Sequence, residues 1–268
     1  MNATTTGTMT ESPWTGRVVR GLVLLAFGIF FFLPLWSMLD FSTTKSFATG
    51  GRTADHWRAL FENVQLRQAI VASLELAVLT VALMLALLLP TMIWVRLRVP
   101  QASRLVEFLC LLPLTVPPLV IVVGINGVYS WVNYFLGGSP LTLTFVYVIL
   151  VLPFAYRALD SALSAIDVTT LAEAARSLGA GWPTVFVRVI APNVVSGVLA
   201  AAFISIALVL GEFTFASLMH FDTLPNVIVL LGKGDTGASM AAALATMILT
   251  ALLLIALSLF DRRRSERN

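Results

Sequence analysis

The chain has 268 residues, 58% hydrophobic and only 12% charged, with a mean hydropathy of +0.92. A soluble domain carries about a quarter charged residues and cannot bury this much apolar surface, so the solvent is lipid. The net charge of +3 therefore bears on orientation across a membrane and not on nucleic acid, and the lone Cys110, set in an apolar run, excludes a disulfide framework or a cysteine metal site.

Arg17 and Arg20 precede an apolar run at 21–39 that is too long for the core of a signal peptide and is followed by no small-x-small cleavage site. It reads as a retained first span behind a cytoplasmic tail at 1–20, whose Thr-rich first dozen residues are expected to be disordered. A bilayer core takes about 20 apolar residues per helix. Further runs at 70–95, 105–125, 141–157, 196–219 and 238–260 bring the count to six spans within 21–260, leaving a short tail at 261–268. The third run, LLPLTVPPLVIVVG from Leu111 to Gly124, is expected to be one kinked helix.

Six spans put both termini on one side. Twelve of the seventeen Lys and Arg residues, including Arg96, Arg98, Arg104, Arg157, Arg176, Arg188 and Arg262, fall in the segments that share that side, which is therefore cytoplasmic. Lys45, Arg52, Arg58, Arg67 and Lys233 fall outside. The first outer segment, 40–67, spaces Trp57, Phe61 and Leu66 as an interfacial helix would. Tyr129, Trp131 and Tyr134 are expected at the membrane boundary between spans three and four, before GGSP at Gly137 to Pro140 turns the chain back.

The longest cytoplasmic connection, between spans four and five, reads TTLAEAARSLGAGWPTVFVRVIAP from Thr169 to Pro192. Thr170 and Glu173 have the spacing of a capping box, so a helix is expected to begin there. Leu171, Ala174, Ala175 and Leu178 share one face, with Glu173, Arg176 and Ser177 elsewhere. Gly179 stands where a left-handed C-terminal cap belongs. Pro183 suits the first position of a second helix, and Pro192 ends that helix or kinks its passage into span five. Residue by residue, two readings stay open: a docking helix whose alanines admit another surface, or a cover for the chain's own bundle with Glu173 only a cap.

The combined pattern is more specific. Glu173-Ala174-Ala175, three residues, Gly179, nine residues, then Val189-Ile190-Ala191-Pro192 resembles the EAA loop of bacterial ABC importer permeases, with Val189 in place of isoleucine and Ala191 in place of leucine. The lead-in PFAYRALDSALSAIDVTTLAEAA and the six-span layout are similar as well. The resemblance implies an all-α polytopic bundle of six transmembrane helices of the type I ABC importer kind, with a coupling loop at 160–192. It also implies that Glu173, Ala174, Ala175, Arg176, Ser177, Gly179 and Pro183 couple to a separate ATPase. The implied setting is a multi-pass protein of the cell inner membrane, bathed in membrane lipid. Its implied partners are two ATPase subunits, a second identical or related permease and an extracytoplasmic solute-binding protein. LGEFTFASLM, from Leu210 to Met219, looks most like permeases for polyamines, with those for ferric iron, thiamine, sulfate and phosphonate as alternatives.

The chain lacks the phosphate-binding loop of an ATPase, since Gly232-Lys233-Gly234 has the wrong spacing. No cofactor motif, metal-ligand pattern or hydrolase signature is present, and His56 and His220 are far apart in sequence. The chain is thus expected to be a transport subunit and not an enzyme. Ionisable groups within spans are costly and point to pathways. Glu212, beside Gly211 in the outer half of span five, either lines a cation pathway or bonds another helix. Glu75, near the outer start of span two, and Asn126, near the end of span three, are further pathway candidates. Glu107 is expected to pair with Arg104, and Asp222 and Asp235 to be simply solvated. A secondary transporter is the rival reading; paired repeats and midplane charges would mark it, and neither is evident.

Overall fold

The computed structural model describes residues 13–45 and 51–265. It is a bundle of helices with no named strand among those residues. The expected disordered dozen at the amino end and the last three residues lie outside them. Within the expected tails, helix occupies residues 13–20 and 261–265.

The first helix, α1 (Pro13–Thr43), is followed by a short α2 (Asp55–Glu62) and by α3 (Val64–Arg98). The expected interfacial helix is therefore split: Trp57 and Phe61 lie in α2, and Leu66 lies in the first turn of α3, whose cap Asn63 accepts from the Leu66 amide at 2.9 Å. At about 1.5 Å per residue, a helix of 35 residues outruns the roughly 30 Å hydrocarbon core, so α3 projects beyond it.

The third span departs from expectation. The run 105–125 is two helices, α4 (Ser103–Leu111) and α5 (Pro118–Leu136), separated by a 3-10 turn over Leu112–Thr115. Val116 is extended (φ −106°, ψ 122°) ahead of Pro117 and Pro118, which have no amide hydrogens to continue a helix. The span restarts at Pro118 and runs to Leu136, so Tyr129, Trp131 and Tyr134 lie inside it and not in the connection after it. Gly124, Asn126 and Gly127 dilute the apolar run and hide this continuation from the sequence.

After the turn at Gly137 come α6 (Thr144–Ser164), α7 (Val168–Ser177), α8 (Trp182–Asn193) and α9 (Val195–Gly211). A five-residue α10 (Thr214–Leu218), an unexpected α11 (Leu224–Gly232) and α12 (Thr236–Ser265) complete the chain. Among the described residues, five helices are long and apolar enough to cross a membrane; α9 counts as a sixth only together with α8, from which it is bent by 76°. The expected fifth span of 196–219 thus stops at Gly211.

The core forms around α6. Tyr147, Val151, Ala155, Leu159 and Leu163 recur at every fourth residue and all are fully buried. Helices α3 and α9 flank this stripe. Gly197 of α9 lets its backbone close on α6, since a β-carbon there would sit 2.3 Å from that of Ala162. Burial is uneven: 56% of the α6 span is covered, against 6% of α5 and none of α1. The uncovered apolar faces belong to lipid or to other subunits.

At the end of the bundle opposite the α6–α9 connection, Asp235 accepts from the Ala238 amide at 2.9 Å, capping α12, and lies 3.3 Å from His56 Nδ1. Gln65 Nε2 donates to Asp222 at 3.3 Å. These aspartates are structural partners and not merely solvated. At the near end Glu107 pairs with Arg157 at 3.1 Å, in place of the expected Arg104, because the spans bring α6 beside α4.

Candidate functional site

Helix α7 begins one turn fragment earlier than the capping-box spacing predicts. Asp167 is its cap: it accepts from the Thr170 amide at 3.0 Å and from the Thr170 hydroxyl at 2.7 Å. These two bonds hold the Asp167 carboxyl below its ordinary value. Thr170 and Glu173 therefore form no capping box, and Glu173 is left exposed. The C-terminus is closed as expected. Gly179 has φ +85°, its amide donates to the Arg176 carbonyl, and the Ala180 amide donates to that of Ala175, both at 3.0 Å.

Which face α7 buries also differs from expectation. Val168 and Ala172 are buried, and Leu171 and Ala175 partly so. Ala174 and Leu178 point outward beside Glu173, Arg176 and Ser177, with Leu178 88% exposed. The periodic pattern had grouped Ala174 and Leu178 with the inner face, but α7 makes room for Val168, which the predicted start excluded. Trp182 opens α8 and Pro183 takes its second position. Val185–Ile190 winds as a π-helix, and the bend into α9 follows Asn193, one residue past Pro192.

An aromatic–cation cluster ties this loop to the spans. The Arg98 guanidinium lies 4.6 Å from the Trp182 ring centroid and that of Arg176 lies 5.1 Å from it. Trp94, one turn before Arg98 on α3, meets Trp182 edge-on at 6.1 Å. Nearby, Arg96 reaches the Asp160 carboxylate at 2.7 Å and the Ser164 hydroxyl at 2.8 Å, joining α3 to the end of α6. A tryptophan between Gly181 and Pro183 in a polar loop was the available clue to the first cluster.

Glu212 sits in the break after α9. Its carboxylate accepts from the Tyr147 hydroxyl at 2.8 Å and from the Phe215 amide at 3.0 and 3.1 Å, so it caps α10 and bonds α6. At the other end of α10, His220 adopts φ +60°, with the Phe221 amide closing back to the Ala216 carbonyl at 2.9 Å. That is the position glycine usually fills; a side chain there costs on the order of 1 kcal/mol. Between α5 and α10 lies a cavity of about 430 Å³, lined by Asn126, Tyr129, Ser130, Asn133, His220 and Phe221 among others. Asn126 is thus brought to His220, which sequence spacing alone did not suggest. Glu75 stands apart, exposed on α3. No cluster of metal-ligating side chains occurs among the described residues.

The model of the family described as "binding-protein-dependent transport system inner membrane component" matches residues 88–266, which include the α7–α8 loop, Glu212 and Asn126. The chain belongs to this permease family. The permease is also 32% identical over 157 residues to the molybdenum transport system permease protein ModB of Azotobacter vinelandii, a match covering 54% of this chain and 69% of the relative. It is therefore a membrane-embedded, multi-pass subunit of an ABC importer, in a family that works with ATPase and solute-binding partners. The polyamine preference drawn from LGEFTFASLM has no support in the comparisons.

Proposed function

We propose that the permease forms half of the translocation pathway of an importer for a small oxyanion, with molybdate as the first solute to test. A second permease, identical or related, completes the pathway. Two ATPase subunits dock, one on α7 and α8 of each permease, a solute-binding protein delivers cargo from outside, and both termini are cytoplasmic.

The observation that carries the docking role is the outward face of α7. Leu178 is held 88% exposed beside Glu173, Ala174 and Ser177 on a helix closed at both ends by caps. A rigid helix that presents a large apolar side chain is a surface prepared for a partner. The bias of Lys and Arg, twelve of seventeen on the loop side, supports placing that side in the cytoplasm. Closure of the ATPases would pass through α8 into α9 and α3 as a rigid-body shift of helices. The named molybdenum relative supports the oxyanion. Glu212, the acid that had favoured a cation, is occupied by Tyr147 and by the amides of α10.

Co-purification tests the docking. The permease should capture its ATPase, and the Glu173→Lys, Gly179→Pro variant should lose it. A complex that survives both changes would refute the assignment. ATP-dependent uptake of radiolabelled molybdate into vesicles tests the solute.

A further inference from the structure

We infer that the cleft between α5 and α10 is a solute site at the outer mouth of the pathway, where uncharged donors receive the oxyanion before it enters the bundle. The inference rests on the oxyanion reading above and adds the residues that would meet the anion.

Three observations converge on it. First, Asn126, Ser130 and Asn133 fall at i, i+4 and i+7, a polar stripe down one face of an otherwise apolar α5, and all three line the cavity. Second, these groups are short of partners. The Ser130 hydroxyl turns to the Gly127 carbonyl at 2.7 Å, but neither asparagine side chain has a hydrogen bond among the described residues. Asn133 Oδ1 is buried with none. An unpaired buried carbonyl oxygen is costly, and rotation about the side chain's last bond exchanges that acceptor for two donors. Third, His220 keeps an imidazole where the backbone favours glycine, and that residue lines the same cavity. Strain retained at a polar cleft points to function and not to packing.

The chemistry fits transit. The cavity, about 430 Å³, lies within the usual range of small-molecule sites. No Lys, Arg, Asp or Glu lines it, so an anion meets donors without a fixed counter-charge. Such a site binds well enough to admit the solute and weakly enough to release it. The Tyr129 hydroxyl donates to Thr142 at 2.7 Å, and its ring meets Phe221 at 6.2 Å, so these two form the rigid back wall.

The test uses the whole transporter, with its ATPases and binding protein, in proteoliposomes supplied with radiolabelled molybdate, sulfate or a diamine. Asn126→Asp and Asn133→Asp place a like charge against the anion and should cut oxyanion uptake by about tenfold or more while ATP hydrolysis persists. His220→Gly suits the backbone, so it should raise thermal stability and still lower uptake. This variant carries the test if the aspartates fail to assemble. Undiminished oxyanion uptake in all assembled variants overturns the cleft, whereas a gain of diamine uptake in the aspartate variants would support it as the solute's path. A wild-type transporter that hydrolyses ATP but carries neither oxyanion overturns the reading beneath it instead.

Discussion

Trp182 and Arg98 join the α7–α8 loop to a membrane span: the guanidinium on α3 sits 4.6 Å from the centre of the indole on α8. A second cation, Arg176 of α7, approaches the same ring at 5.1 Å. One aromatic side chain therefore links both loop helices to the span that passes beside α6. Cation–π contacts are worth about 0.5–2 kcal/mol each, so the joint is modest in energy and specific in geometry. Trp182→Ala should leave the ATPase bound but lower solute moved per ATP by roughly fivefold or more. Trp182→Phe should retain part of the coupling. Equal coupling ratios in the three proteins would show that force travels elsewhere.

Substitution of Leu178 tests the proposed docking apart from folding. Because its side chain is 88% exposed, Leu178→Asp should change the stability of the isolated permease by no more than about 0.5 kcal/mol. The same change should abolish ATPase capture. Thermal unfolding in detergent and co-purification together check the prediction.

Gly197 governs the contact of α9 with α6. An added methyl would meet the Ala162 β-carbon at 2.3 Å and the Ala158 carbonyl at 3.1 Å, so Gly197→Ala should destabilise by about 1–3 kcal/mol. Ala162→Gly in the same chain should recover part of that loss. A double-mutant cycle on unfolding temperature would reveal the coupling, and additivity would disprove the contact.

Glu212 serves the backbone of α10. Glu212→Ala strands the Phe215 amide and the Tyr147 hydroxyl and should cost about 1–3 kcal/mol. Glu212→Gln keeps an acceptor oxygen and should preserve both fold and uptake. A Gln variant that folds normally yet fails to transport would return Glu212 to the solute pathway.

Asp167 confers a pH dependence on α7. The Thr170 hydroxyl and amide lower its folded pKa, so the stabilisation is present above the unfolded carboxyl value and is lost as pH falls through the folded one. Hydrogen exchange across residues 168–178, corrected for intrinsic rate, should show protection falling in that acid range. In Asp167→Ala the protection should be low throughout and the acid step absent.

Much of this architecture was legible in the amino-acid order, because its causes are local. Long apolar runs specify membrane helices whatever packs beside them, and Gly179 marks a helix end because its own backbone must turn left-handed. The exposure of Glu173 also follows from its immediate surroundings. Two local signals were outweighed: Asp167 competes with Thr170 for the cap and wins with a bond to each of its donor groups, and Pro117-Pro118 breaks a helix that its apolar run alone would only kink.

Tertiary structure alone decided the rest. A span that is apolar on every side carries no stripe to mark its inner face, so only packing could choose the buried line of α6 or bring α9 against it at Gly197. Tyr147 finds Glu212 across 65 residues, Arg96 finds Asp160 across 64, and His220 faces Asn126 only because α10 folds back on α5. Such pairs leave no periodic trace, since their spacing along the chain is set by loop lengths and their meeting by the three-dimensional course of the helices between.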